Sequence, residues 1–139
     1  MDFRYEKDAI GEVRVPKNSY YGSFTARALD NFDISGFKAG CYFKKALAYV
    51  KLAALYANYH LELIEESQKQ SIEKAIYEFL EGKFDDEYVL DYFQAGAGTP
   101  FNMNFNEIIA NRANEILGSE KGRYEFVHPN NHVNMGQSS

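Results

Sequence analysis

A single cysteine, Cys41, is all the thiol chemistry this 139-residue sequence holds. No internal disulfide can form, and neither a Cys-rich zinc module nor a disulfide-stapled secreted scaffold can be built, so a reducing cytoplasm fits best. Long apolar runs are missing too: none approaches the roughly 18 residues of a membrane span. The N-terminus, Met1-Asp-Phe-Arg-Tyr-Glu-Lys-Asp8, is charged from its second residue, unlike a signal peptide, and no membrane anchor is expected. Positive charge is not in excess, since 15 Lys and Arg stand against 20 Asp and Glu for a formal charge of −5. That balance argues against nucleic acid as a partner, because phosphate-backbone binding draws on clustered cations. Internal repeats and low-complexity tracts are also absent.

What the chain does have is apolar mass, 45% of its residues, including 11 Phe and 11 Tyr. That is enough to offset the entropy of ordering, in a length that suits one domain over residues 1–139. From Phe3 to Val15 apolar and charged residues tend to alternate, which predicts a small β-hairpin closed by Pro16. Ser19 to Leu29 reads as a short helix weakened by Gly22. Cys41 to His60 is the clearest helix, with Phe43, Leu47, Val50, Ala54, Ala57 and Leu61 as its inner stripe and Lys44, Lys45 and Lys51 off it. A capping box at Ser67-Gln-Lys-Gln70 opens a second helix through Ile72, Ala75, Ile76, Phe79 and Leu80, ended by Gly82. The acidic and aromatic stretch from Lys83 to Phe93 reads as irregular. Thr99-Pro100 starts a third long helix with the Thr99 hydroxyl at N-cap, running through Met103, Ile109, Ala110, Ala113, Ile116 and Leu117 to Gly118. The fold class is mainly α, with the hairpin near its start.

The glycines of Gln94-Ala-Gly-Ala-Gly-Thr99 allow close backbone approach just before a helix N-terminus, where free N–H groups and the helix dipole favour an anion. A Gly-rich loop before a helix is more often just a turn, and this one is neither a Walker loop nor a Rossmann fingerprint. Asn102, Asn104, Asn106, Asn111 and Asn114 crowd the third helix although Asn is a mediocre helix former. They read either as a solvated face or as residues held there for a purpose, and Asn102 sits where its amide reaches toward a carboxylate bound at the helix start. His60, His128 and His132 make no metal signature and read as surface or capping residues.

Taken together these residues resemble the aspartase/fumarase superfamily. The pattern is carried by Tyr20-Tyr-Gly22, Thr25, Arg27-Ala28, Asn31-Phe32, Gln94-Ala-Gly-Ala-Gly-Thr99, Asn102-Met-Asn104, Asn106-Glu-Ile-Ile-Ala-Asn-Arg112, His128-Pro-Asn130, His132-Val-Asn134 and Gln137-Ser-Ser139. They stand in family order over nearly the whole chain. The likeness is to the N-terminal helical domain, roughly the first third of a family protein, so a truncated piece is expected, without the central helical bundle. The resemblance implies a homotetramer when full length, with each active site joining segments of three subunits. It also implies an anti elimination, in which a serine base beyond residue 139 removes a proton beside a carboxylate and ammonia or water leaves to give fumarate.

Carried over by position, Ala97, Gly98, Thr99 and Asn102 are the first substrate-binding segment and Ser138 and Ser139 begin the second. The expected partner is a small dicarboxylate, with no metal and no other cofactor. His128, Pro129, Asn130 and Asn131 resemble a second, noncatalytic anion site, although Asn131 stands where Asp is usual and Glu125 falls near where fumarases place a basic residue. Pro100-Phe101 replaces smaller polar residues after the key threonine. Ala97 and the run Arg27 to Ser35 lean toward aspartase, which eliminates ammonia from aspartate, over class II fumarase, which acts on malate. A third reading is a structural piece without catalysis. Short amphipathic helices and an acidic surface present no large apolar face, so the piece alone is expected to be monomeric or weakly associated.

Overall fold

The computed structural model describes residues 1–139, about half of them helical. Strands β1 (Phe3–Lys7) and β2 (Glu12–Pro16) pair antiparallel, with Phe3 opposite Pro16 and Lys7 opposite Glu12. Asp8 turns the hairpin by accepting from the N–H groups of Ile10 and Gly11. Helices α1 (Ser23–Asn31), α2 (Cys41–His60), α3 (Glu66–Leu80) and α4 (Thr99–Ile116) follow, then a one-turn π-helix at Pro129–Val133. The stretch after α3 is irregular apart from a 3-10 turn at Asp85–Glu87. Phe84 and Tyr88 bury their rings, whereas Tyr92 and Phe93 remain exposed.

Helix α4 is the axle of the domain. Most of its 18 residues are buried, which happens only when a helix is covered on every side. Phe105, Ile108, Ile109, Ala110 and Ala113 join Ile72, Ile76 and Phe79 of α3 in one core, where the Phe79 and Phe105 rings meet at 4.8 Å. Because the helix is enclosed, its polar residues are enclosed with it, and the solvated-face reading of the asparagines is overturned. Asn104, Asn106, Asn111 and Asn114 are 0% exposed. The amides of Asn104, Asn111 and Asn114 stitch irregular backbone to α4, as buried polar groups must. Asn104 binds the Val89 N–H and the Glu87 carbonyl. Asn111 donates to the Tyr20 carbonyl and accepts from the Gly122 N–H.

Four further expectations need correction. In α2 the buried row is Ala48, Lys51, Leu52 and Leu55, while Phe43, Val50 and Leu61 are exposed. The helix is apolar on more than one side, so periodicity alone selected the wrong stripe, and Lys51 lies inside. The outer side of α2 carries Tyr42, Phe43, Tyr49, Val50 and Tyr56, so apolar surface is on display after all. In α3 the capping box forms two residues early, between Glu65 and Gln68. Both pairs carry the required spacing, and the earlier one is seated because Gln68 also donates to the Phe126 carbonyl. Helix α1 begins at Ser23 rather than Ser19 because Glu87 takes the N–H groups of Tyr20 and Tyr21 into its carboxylate.

Helix α1 has no capping side chain of its own. Glu107 of α4 supplies one, accepting from the N–H groups of Phe24 and Thr25 and from the Thr25 hydroxyl, while Glu6 of β1 accepts from the Ser23 N–H. A Cβ at Gly22 would run into the Glu107 carboxylate and the Tyr124 hydroxyl, which is why glycine stands there. Burial, with the Glu6 charge nearby, pushes the Glu107 carboxyl up to about 7. A carboxyl raised in the folded state binds its proton there at a pH where the unfolded chain has released it, so its contribution to stability falls as pH rises from about 4.5 to about 7. Urea unfolding of wild type and Glu107→Gln at pH 5 and 8 should show the wild type losing on the order of 3 kcal/mol relative to the variant across that interval. A pH-independent difference would mean that Glu107 is ionised throughout.

Candidate functional site

The loop Gln94–Gly98 turns tightly, with the Gly98 N–H donating to the Ala95 carbonyl at 2.9 Å. Gly98 adopts φ 82°, the left-handed region, and delivers the chain into α4. No neighbouring atom would obstruct a Cβ there, so the demand for glycine comes from the backbone alone. Gly98, not Thr99, is therefore the N-cap, with Thr99 and Pro100 as the first two helical residues, and no side chain caps the helix. The expected capping role of Thr99 is overturned, because a left-handed residue immediately before it leaves Thr99 already helical. Its hydroxyl makes no hydrogen bond within the chain, and the N–H groups of Thr99 and Phe101 have no intrahelical acceptor. The first turn of α4 thus offers a free hydroxyl and free N–H donors at the positive end of its dipole.

Pro100 and Phe101 are both buried, and the Phe101 ring packs against Tyr88 at 5.7 Å and Phe43 at 5.3 Å, so its bulk serves the core. Asn102, the fourth helical residue, remains partly exposed and faces the chain end. Its Nδ2 donates to the Ser139 carbonyl at 3.0 Å and to Asn134 Oδ1 at 3.0 Å. The two segments singled out by resemblance, Ala97-Gly-Thr99 with Asn102 and Ser138-Ser139, are brought together by that contact. Ala97, Ser138 and Ser139 lie on the surface.

Beneath them sits a polar cluster that reading the sequence missed. Asn134 Oδ1 accepts from Asn102 Nδ2, from Asn106 Nδ2 at 3.2 Å and from Lys51 Nζ at 2.7 Å. Asn134 Nδ2 donates to the Gln137 carbonyl, holding the turn that leads to Ser138. Lys51 is 3% exposed, and burial pushes its ammonium down to about 8. Two buried side-chain acceptors lack any partner, Asn106 Oδ1 in this cluster and Gln94 Oε1 at the loop's start. The signal that pointed to Lys51 was the competing row Ala48, Leu52 and Leu55 in the same helix.

His128 caps the one-turn helix that follows it. Its Nδ1 accepts from the N–H groups of Asn130 and Asn131 at 3.1 and 3.3 Å, and His132 Nδ1 accepts from the His128 N–H. Burial pushes both imidazoles down, which favours their neutral forms. Pro129 is buried, and Asn130 and Asn131 are exposed. At this turn an anion would compete with His128 for its N–H donors. His60 is exposed at the end of α2.

Residues 11–139 match the family described as Lyase. Over 138 residues the chain is 48% identical to an aspartate ammonia-lyase of a Bacillus species, covering 99% of this chain and 30% of that protein. It is 49% identical over 138 residues to a class II fumarate hydratase of Halobacterium salinarum, covering 99% of this chain and 29% of that one. Among solved structures, fumarate lyase:delta crystallin from Brucella melitensis superposes with a TM-score of 0.95 at 43% identity, covering 99% of this chain and 32% of that one. A class II fumarase from Schistosoma mansoni gives 0.92 at 38% identity, with 99% and 29% covered. The chain spans about 30% of the length of the curated relatives it matches.

Proposed function

The chain belongs to the lyase family of the aspartase/fumarase superfamily, and from that membership we propose that it is part of an aspartate ammonia-lyase, which eliminates ammonia from L-aspartate to give fumarate. In this reading the segment supplies part of the carboxylate-binding site of a cytoplasmic homotetramer. The observation that carries it is the start of α4, where the unengaged Thr99 hydroxyl and the free N–H groups stand beside Asn102, itself bonded to Ser139. Such a surface suits a dicarboxylate, and hydrogen-bond donors at a helix N-terminus hold the charge that grows as a carbanion forms. Ala97 before Gly98-Thr99 favours aspartate over malate. The 49% identity to the Halobacterium hydratase favours the second reading, a class II fumarate hydratase.

Turnover of aspartate and of malate by the full-length protein, followed as fumarate absorbance, tests the choice. Aspartate turnover without malate turnover is expected, and the reverse result would transfer the assignment to the hydratase. Within that protein, Thr99→Ala should lower kcat/KM at least tenfold, since a lost hydrogen bond to a charged group costs roughly 1.5–3 kcal/mol. Thr99→Ser keeps the oxygen and should be nearly neutral. Because Thr99 caps nothing, the alanine variant should keep its melting temperature. Unchanged kinetics in Thr99→Ala would remove this residue from the binding site.

A further inference from the structure

Lys51 is a cation sealed inside the domain without an acid. It is 3% exposed, and its Nζ makes one hydrogen bond, to the neutral amide oxygen of Asn134. A buried ammonium with no carboxylate partner is costly, and an apolar side chain of similar volume usually serves a core as well or better. Nor does the hydrogen-bond network need it. Asn134 Oδ1 also accepts from Asn102 and Asn106, so it stays satisfied if the lysine is removed. Packing and hydrogen bonding therefore leave the charge itself unexplained.

Hydrogen bonds link this cluster to the surface. From Lys51 the chain of contacts runs through Asn134 to Asn102, and from Asn102 to the Ser139 carbonyl, beside the first turn of α4. We propose that Lys51 is a positioning residue for anion binding: its positive charge lies under the surface made by Thr99, Asn102 and Ser138-Ser139, polarises the Asn134 amide and through it that of Asn102, and is balanced when a dicarboxylate binds above. This rests on the carboxylate-binding reading of that surface. The site accepts a cost in stability in exchange for a field that strengthens as bound negative charge grows, since low-dielectric surroundings screen it poorly.

The test uses the full-length protein and the non-reacting dicarboxylate succinate as probe. Lys51→Met should melt at the same temperature or higher, bind succinate at least tenfold more weakly by calorimetry, and lose at least tenfold in kcat/KM. Lys51→Gln, which keeps a donor toward Asn134 but no charge, should be as weak as the methionine variant, and it decides the matter if the latter fails to fold. A lower melting temperature with unchanged succinate affinity would make Lys51 a structural tie and overturn the proposal, as would full affinity in the glutamine variant. If the wild type turns over neither aspartate nor malate, the assigned elimination fails by itself, and succinate still decides the lysine. Weaker binding by the variants supports the proposal, and equal binding, or none by the wild type, overturns it.

Discussion

Asn114→Ala is expected to come close to unfolding the domain. Its amide is fully used: Nδ2 donates to the carbonyls of Ala110 and Val127, each at 2.7 Å, and Oδ1 accepts from the N–H groups of Phe126 at 2.8 Å and Val127 at 3.1 Å. Alanine removes all of these contacts and leaves both polar groups of the Val127 backbone buried without a partner. Each orphaned group costs roughly 1–3 kcal/mol, so a loss of about 3 kcal/mol or more is expected, against a typical domain stability of about 5–15 kcal/mol. Urea unfolding of the 139-residue chain measures it. Arg123→Ala serves as control, since its ion pair with Glu120 lies in solvent and contributes little. A loss in Asn114→Ala no larger than in the control would mean that the turn after α4 is held by its own packing.

The 139 residues alone should show no measurable elimination of aspartate or malate. Thr99, Asn102, Ser138 and Ser139 gather at one surface, and Ser138 and Ser139 are exposed to water. An elimination needs a base within about 3 Å of the proton it takes and reactants held in a defined geometry. The chain covers about 30% of the relatives that share its pattern. Fumarate production proportional to the purified segment, after host enzyme has been removed, would show that this surface carries out the reaction unaided.

The legible parts of this protein were those where local chemistry decides. Alternation from Phe3 to Val15 marked the hairpin, and apolar spacing with terminal glycines marked the long helices within a residue or two. The Gly98-Thr99 loop was legible for the same reason, since glycine before a helix carries its own backbone meaning. Missed were features in which two local solutions compete. Helix α2 offers two apolar rows, and only packing against α3 selects the one that contains Lys51. Two capping boxes overlap at the start of α3, and contact with Phe126 seats the earlier.

By itself the sequence determined the helical class, the order of elements, the family pattern and the position of the Gly-rich loop before α4, because each depends on neighbours a few residues apart. Tertiary structure alone decided what the polar residues are for. The asparagines of α4 are an unfavourable run by propensity, and they become structural only because α4 is covered on every side while irregular segments bring it unpaired backbone groups. Glu107 likewise becomes the cap of a helix more than 80 residues away in the chain, and Lys51 becomes a buried cation bonded to Asn134. Such roles arise from desolvation, which no residue undergoes until the chain around it has folded.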